Sequence, residues 1–70
     1  MKVIMPELSR TQYEQLIFEW IHSERDRAII KRRLLDGITY EHLAEEFDIS
    51  VQQAKRICYK SQEVILRHAV

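Results

Sequence analysis

The side chains best suited to specific chemistry in this chain crowd into one short stretch, where Gln52, Gln53, Lys55, Arg56 and Lys60 fall between Ser50 and Ser61. A glutamine amide carries a donor and an acceptor in one plane, and a guanidinium carries a fork of N–H donors. Either can pair in two-pronged fashion with a base edge, glutamine with adenine and arginine with guanine. Each good pair is worth about 1–3 kcal/mol of discrimination. Arg56 is therefore the candidate for guanine, and Gln52 or Gln53 for adenine. Lys55, Lys60, Arg33 and Arg67 supply the charges that hold phosphates through counterion release. The chemistry on offer is recognition of a polyanion.

Other chemistries find no support. No nucleophile–base–acid set, paired carboxylates or glycine-rich loop is present, so neither enzymatic activity nor a cofactor is expected. His22, His42 and His68 share no metal-ligand spacing with one another or with Cys58, and are read as surface or boundary residues. Cys58 falls on the apolar side of its segment and is read as a small buried hydrophobe.

Four helices must position these groups. Ser9-Arg10-Thr11-Gln12 has the form of a capping box, with Leu8 and Tyr13 placed for a hydrophobic staple. After a tail over residues 1–8, Tyr13, Leu16, Ile17, Trp20 and Ile21 form one helical stripe. Ser23 starts a second helix whose inner face is Ile29, Ile30 and Leu34. Gly37 ends it in the left-handed C′ conformation. Thr39 caps a short third helix with Tyr40, Leu43, Ala44 and Phe47 inward. Ser50 caps a fourth, from about Val51 to about His68. Its inner side is Val51, Ala54, Ile57, Cys58, Ser61, Val64 and Ile65; Gln52, Gln53, Lys55, Arg56, Lys60 and Arg67 lie outside. The expectation is an all-α, small four-helix domain over residues 9–70.

Seventy residues suffice for one small domain. Hydrophobic residues make up 46% and charged residues 31%, a globular balance. One Gly and one Pro argue against a turn-rich β fold. Apolar runs such as Val3-Ile4-Met5 are too short to span a bilayer, and no secretory leader is read, so no membrane association is expected. The single cysteine points to a reducing, cytoplasmic setting.

Eleven basic and eleven acidic residues give zero net charge, but their order is uneven. Residues 37–49 hold Glu41, Glu45, Glu46 and Asp48 with no Lys or Arg, whereas residues 50–70 hold Lys55, Arg56, Lys60 and Arg67 against Glu63 alone. Either the acidic and basic helices pair with each other, or the last helix meets a polyanion.

The stretch from Thr39 to Ile57 satisfies the physical demands of a helix-turn-helix, here placed over residues 39–60. Ala44 allows close approach of two backbones, Ile49 plugs the corner, and Ala54 and Ile57 hold the second helix to the first. Asp48 stands at the usual turn glycine and tolerates unusual backbone angles.

Residues 25–65 resemble region four of bacterial RNA polymerase sigma factors. The likeness runs through Arg25-Asp26-Arg27, Asp36-Gly37-Ile38-Thr39-Tyr40-Glu41 and Leu43-Ala44-Glu45-Glu46-Phe47-Asp48-Ile49-Ser50. LuxR-type regulator domains share much of this pattern. The resemblance implies a promoter-reading helix-turn-helix. By position, Val51, Gln52, Lys55 and Arg56 would face DNA, with Thr39 near a phosphate. Arg32 stands where that family commonly has an apolar residue, which bears on how the second helix packs. No counterpart of the regions that hold core polymerase or melt promoters is read, so the expectation is the promoter-reading module standing alone.

The expected role is a sequence-specific transcription regulator binding double-stranded DNA through Thr39, Val51, Gln52, Gln53, Lys55, Arg56, Lys60 and Arg33. The alternatives are a protein-interaction module for RNA polymerase or another regulator, and a phage-type DNA-packaging or replication subunit. Phe18 lies off the first helix's stripe. That helix and the tail either close the core or pair with a second copy, and Ile65, Leu66 and Val70 offer another seam for a homodimer.

Overall fold

Each helix starts where a short hydroxyl side chain can satisfy backbone N–H groups that the helix itself leaves unpaired. The computed structural model describes residues 7–69, and its elements are α1 (Arg10–Trp20), α2 (Glu24–Leu34), α3 (Tyr40–Phe47) and α4 (Val51–His68). Ser9, Ser23, Thr39 and Ser50 are the N-caps, each accepting from the backbone N–H three residues on. Ser9 and Ser50 complete capping boxes, with the Gln12 and Gln53 amide oxygens accepting from the cap N–H groups at 2.8 and 3.1 Å. The described residues are all-α, as the periodicity requires. The expectations for Val3-Ile4-Met5 and Val70 lie outside the described residues.

Helix ends follow equally local rules. Leu35 is the C-cap of α2, and Gly37 takes a φ of 67° two residues beyond it. The glycine is left-handed as expected, but one position later than C′. The Ile38 N–H returns to the Arg32 carbonyl at 3.2 Å across this turn. Asp48 ends α3 at φ 55° and ψ 50°, the left-handed conformation usually left to glycine.

The core lies between α4 and the other three helices. α4 packs on each of them and α2 touches both α1 and α3, whereas α1 and α3 do not meet. Ile17, Ile21, Ile29, Ile30, Leu43, Ala54, Cys58 and Ile65 are buried together. Each fully buried isoleucine contributes about 1.5–3 kcal/mol. Ser61 and Gln62 are the buried polar residues of this interior, and Gln62 belongs to neither face that the spacing had assigned.

Residues 48–50 turn a corner between α3 and α4. Ile49 donates to the Ala44 carbonyl at 3.0 Å and packs against the core, while Ala44 is buried. α3 then folds back along α4, bringing the Tyr40 and Tyr59 ring centroids to 6.0 Å across a sequence gap of more than two α3 lengths.

The α1 stripe is corrected at its end. Trp20 was expected inward, yet it is 40% exposed and stacks flat on His68, with centroids 3.6 Å apart. The helix stops at Trp20, and Ile21, one residue on in extended backbone, is buried as the stripe expects. Phe18 is 67% exposed, with the Arg27 guanidinium 4.7 Å from its ring centroid.

Candidate nucleic-acid interface

One side of α4 is committed to the core through Ala54, Cys58, Ser61, Gln62 and Ile65, which leaves the opposite side of the helix to face outward. Gln52, Gln53, Lys55, Arg56 and Lys60 are all exposed. Arg67 is exposed too, but pairs with Glu63 at 3.7 Å. Among the described residues, Lys55, Arg56 and Lys60 have no carboxylate within ion-pair distance.

The three cations spread across this face. The Lys55 ammonium lies 5.9 Å from the Tyr40 ring centroid, on the α3 side. Lys60 borders a recess of about 220 Å³ together with Trp20, His22 and Asp26, on the side of the α1–α2 connection. Gln52 and Arg56, one helical turn apart, have no hydrogen bond to another side chain among the described residues. Gln53 is partly spent, because its amide oxygen caps Ser50. Val51 is half-buried against the corner. Thr39 is exposed, and its hydroxyl accepts from the His42 N–H at 3.2 Å.

Arg33 is placed differently. Its guanidinium donates to the Ile38 carbonyl at 2.9 Å and lies 4.2 Å from the Tyr40 ring centroid. That engagement ties the α2–α3 connection together and commits the guanidinium to partners within the fold, over the same Tyr40 ring that Lys55 approaches. Burial raises the Tyr40 phenol pKa, against the lowering effect of Arg33.

The acidic helix finds its partner in α2. Arg32 makes a two-pronged pair with Glu46, at 2.8 and 2.7 Å, and a further bond to Asp36 at 3.0 Å. Arg10 approaches the other Asp36 oxygen at 3.7 Å. The hydrogen bonds from Arg32 hold the Glu46 carboxyl below the usual glutamate range, and those same bonds raise the Arg32 pKa. Arg32 thus joins α2 to α3 through a charged clamp beside the buried Ile29, Ile30 and Leu43. No ion pair joins an α3 carboxylate to an α4 cation among the described residues.

Cys58 lies in the core, where burial pushes its thiol pKa up to about 11 and keeps it protonated at neutral pH. Among the described residues no group of three or more His, Cys, Asp or Glu side chains is arranged to hold a metal ion. No helix among them is long and apolar enough to cross a membrane.

Tyr59 belongs to the outward face and was not singled out by the sequence. It is 47% exposed, and its place four residues after Lys55 and three after Arg56 was the available signal. No family model, curated protein or solved structure matches the chain.

Proposed function

We propose that this chain is a DNA-binding module in which α3, the turn at residues 48–50 and α4 act as a helix-turn-helix. α4 lies in the major groove and the module serves a small cytoplasmic transcription regulator of the sigma-region-four-like kind. One observation carries the reading: in an electrically neutral chain, Lys55, Arg56 and Lys60 lie exposed on one helix with no carboxylate at ion-pair distance among the described residues. Phosphates would supply that charge, and counterion release would supply most of the affinity. Arg56 reads guanine, Gln52 reads adenine, Lys55 and Lys60 hold the backbone, and Thr39 lies toward a phosphate near the start of α3. The positive charge is modest, so binding by one copy is weak and a second copy or partner strengthens it.

Selection of bound duplexes from a random pool tests this reading, followed by amide chemical-shift titration with the selected duplex at low and moderate salt. Shifts concentrated at residues 50–60 that fade with salt are expected. An unenriched pool, with no shifts at low salt, would sink the proposal.

A second reading, docking on another protein such as polymerase, draws on Phe18 and Trp20, exposed apolar residues at the end of α1. It predicts shifts centred on residues 16–22 with a protein partner, and none with DNA.

A further inference from the structure

Tyr59 is a large aromatic on a face otherwise made of amides and cations. The core does not enclose it: Cys58 and Ser61, its neighbours on the inner side, are buried, whereas Tyr59 remains 47% exposed. Its ring is nevertheless held. Tyr40 meets it at an interplanar angle of 72°, with centroids 6.0 Å apart, the edge-to-face arrangement that aromatic quadrupoles favour. Tyr40 is in turn fixed by the Arg33 guanidinium at 4.2 Å. An exposed ring braced from behind loses little rotamer freedom when it is covered, which is why tyrosine serves so often at interfaces.

Its surroundings select the kind of partner. Lys55 precedes Tyr59 by one helical turn, and its ammonium lies over the same Tyr40 ring at 5.9 Å. The first carboxylate further along α4, Glu63, pairs with Arg67 at 3.7 Å. A hydroxyl and an unneutralised ammonium therefore share one side of the helix, a pairing suited to a phosphodiester oxygen, which accepts both a charged and a neutral hydrogen bond.

We infer that Tyr59, braced edge-on by Tyr40 and flanked by Lys55, is a backbone-contact residue of the α4 face, its phenol donating a hydrogen bond to a phosphodiester oxygen of the bound duplex. The inference rests on the proposed DNA-binding reading and adds to it a neutral contact beside a charged one. Such a contact contributes to affinity for every sequence, and it displaces no counterion of its own.

The test compares the full chain with Tyr59→Phe and Lys55→Gln, using one selected and one random duplex over a series of salt concentrations. Thermal melting first establishes that each variant is folded. Tyr59→Phe keeps the ring and its packing on Tyr40, so it isolates the hydroxyl. It is expected to weaken binding to both duplexes by a common factor of about three to ten, with the slope of log affinity against log salt unchanged. Lys55→Gln is expected to reduce the magnitude of that slope by about one. If Tyr59→Phe binds both duplexes like the parent, while Lys55→Gln changes the slope, the Tyr59 contact is wrong and the DNA-binding reading stands. A loss confined to the selected duplex overturns the backbone assignment in favour of a base contact. Absence of binding by the parent chain to either duplex overturns both this inference and the reading beneath it.

Discussion

α2 and α4 are both rich in cations, yet the fold treats them in opposite ways. On α2, Arg25 approaches Asp26 at 3.5 Å and Arg32 is clamped by Glu46 and Asp36. Arg27 donates to the Phe18 and Ile21 carbonyls at the end of α1, and Arg33 donates to the Ile38 carbonyl. Of its cations only Lys31 lacks such a partner among the described residues. On α4 the proportions reverse, because among the described residues Arg67 is the one Lys or Arg with an ion pair. Position explains the difference. α2 lies between α1 and α3, so its side chains meet the carbonyls and carboxylates at the ends of both neighbours. The outward row of α4 meets only the Tyr40 ring of α3, through Lys55 and Tyr59, and no carboxylate among the described residues. Positive charge on α2 serves to assemble the fold, whereas Lys55, Arg56 and Lys60 on α4 stay exposed and without a carboxylate partner among the described residues, which is what the proposed reading draws on.

Substituting arginines on the two helices tests this contrast most directly. Arg56→Ala is expected to weaken binding to a selected duplex about 5- to 150-fold, corresponding to about 1–3 kcal/mol, with a smaller loss on random DNA and an unchanged melting temperature. Equal losses on both duplexes would remove Arg56 from base reading. Arg33→Ala should do the reverse. It loses one charge-assisted hydrogen bond and one cation–π contact, at about 1–2 kcal/mol of stability, equivalent to a melting temperature lower by several degrees. Its salt slope in DNA binding should match the parent's, and a slope reduced by about one would return Arg33 to the phosphate contacts that the sequence suggested.

Lys60→Ala is a smaller perturbation. It should weaken selected and random duplexes alike, by a few-fold at moderate salt, and lower the salt slope by about one. The smallest effect concerns the Arg32 clamp. Because Glu46 titrates below its ordinary value in the folded protein, its contribution is present in full above about pH 4.5 and is lost as pH falls through the depressed value. Glu46→Gln should therefore flatten the acid limb of stability measured by denaturant titration between pH 5 and 3. An acid limb of unchanged steepness would show that the clamp contributes nothing in solution, as exposed ion pairs often do.

The elements were legible in the sequence to a fine grain. Ser9, Ser23, Thr39 and Ser50 announce the helix starts because a cap is made within three residues of itself. Asp48 and Gly37 announce turns because their left-handed backbone excludes most side chains. The outward exposure of Gln52, Lys55, Arg56 and Lys60 was likewise legible, since helical periodicity assigns faces without knowing what packs on them. Tyr59 could have been assigned by the same arithmetic. Trp20 could not, because its stacking partner His68 lies at the far end of the chain.

Sequence alone determined where the helices begin and end, which sides they turn inward, and that the charges are unevenly ordered along the chain. Tertiary structure decided what the charges meet. The alternation of acidic and basic segments fitted α3 pairing with α4 as well as it fitted a free α4, and only the packing of α2 between α1 and α3 brought Arg32 to Glu46, fourteen positions away. Face is a local property, set by the rise and twist of one helix. Partnership between charges depends on distances between helices, and those are fixed only when the core closes.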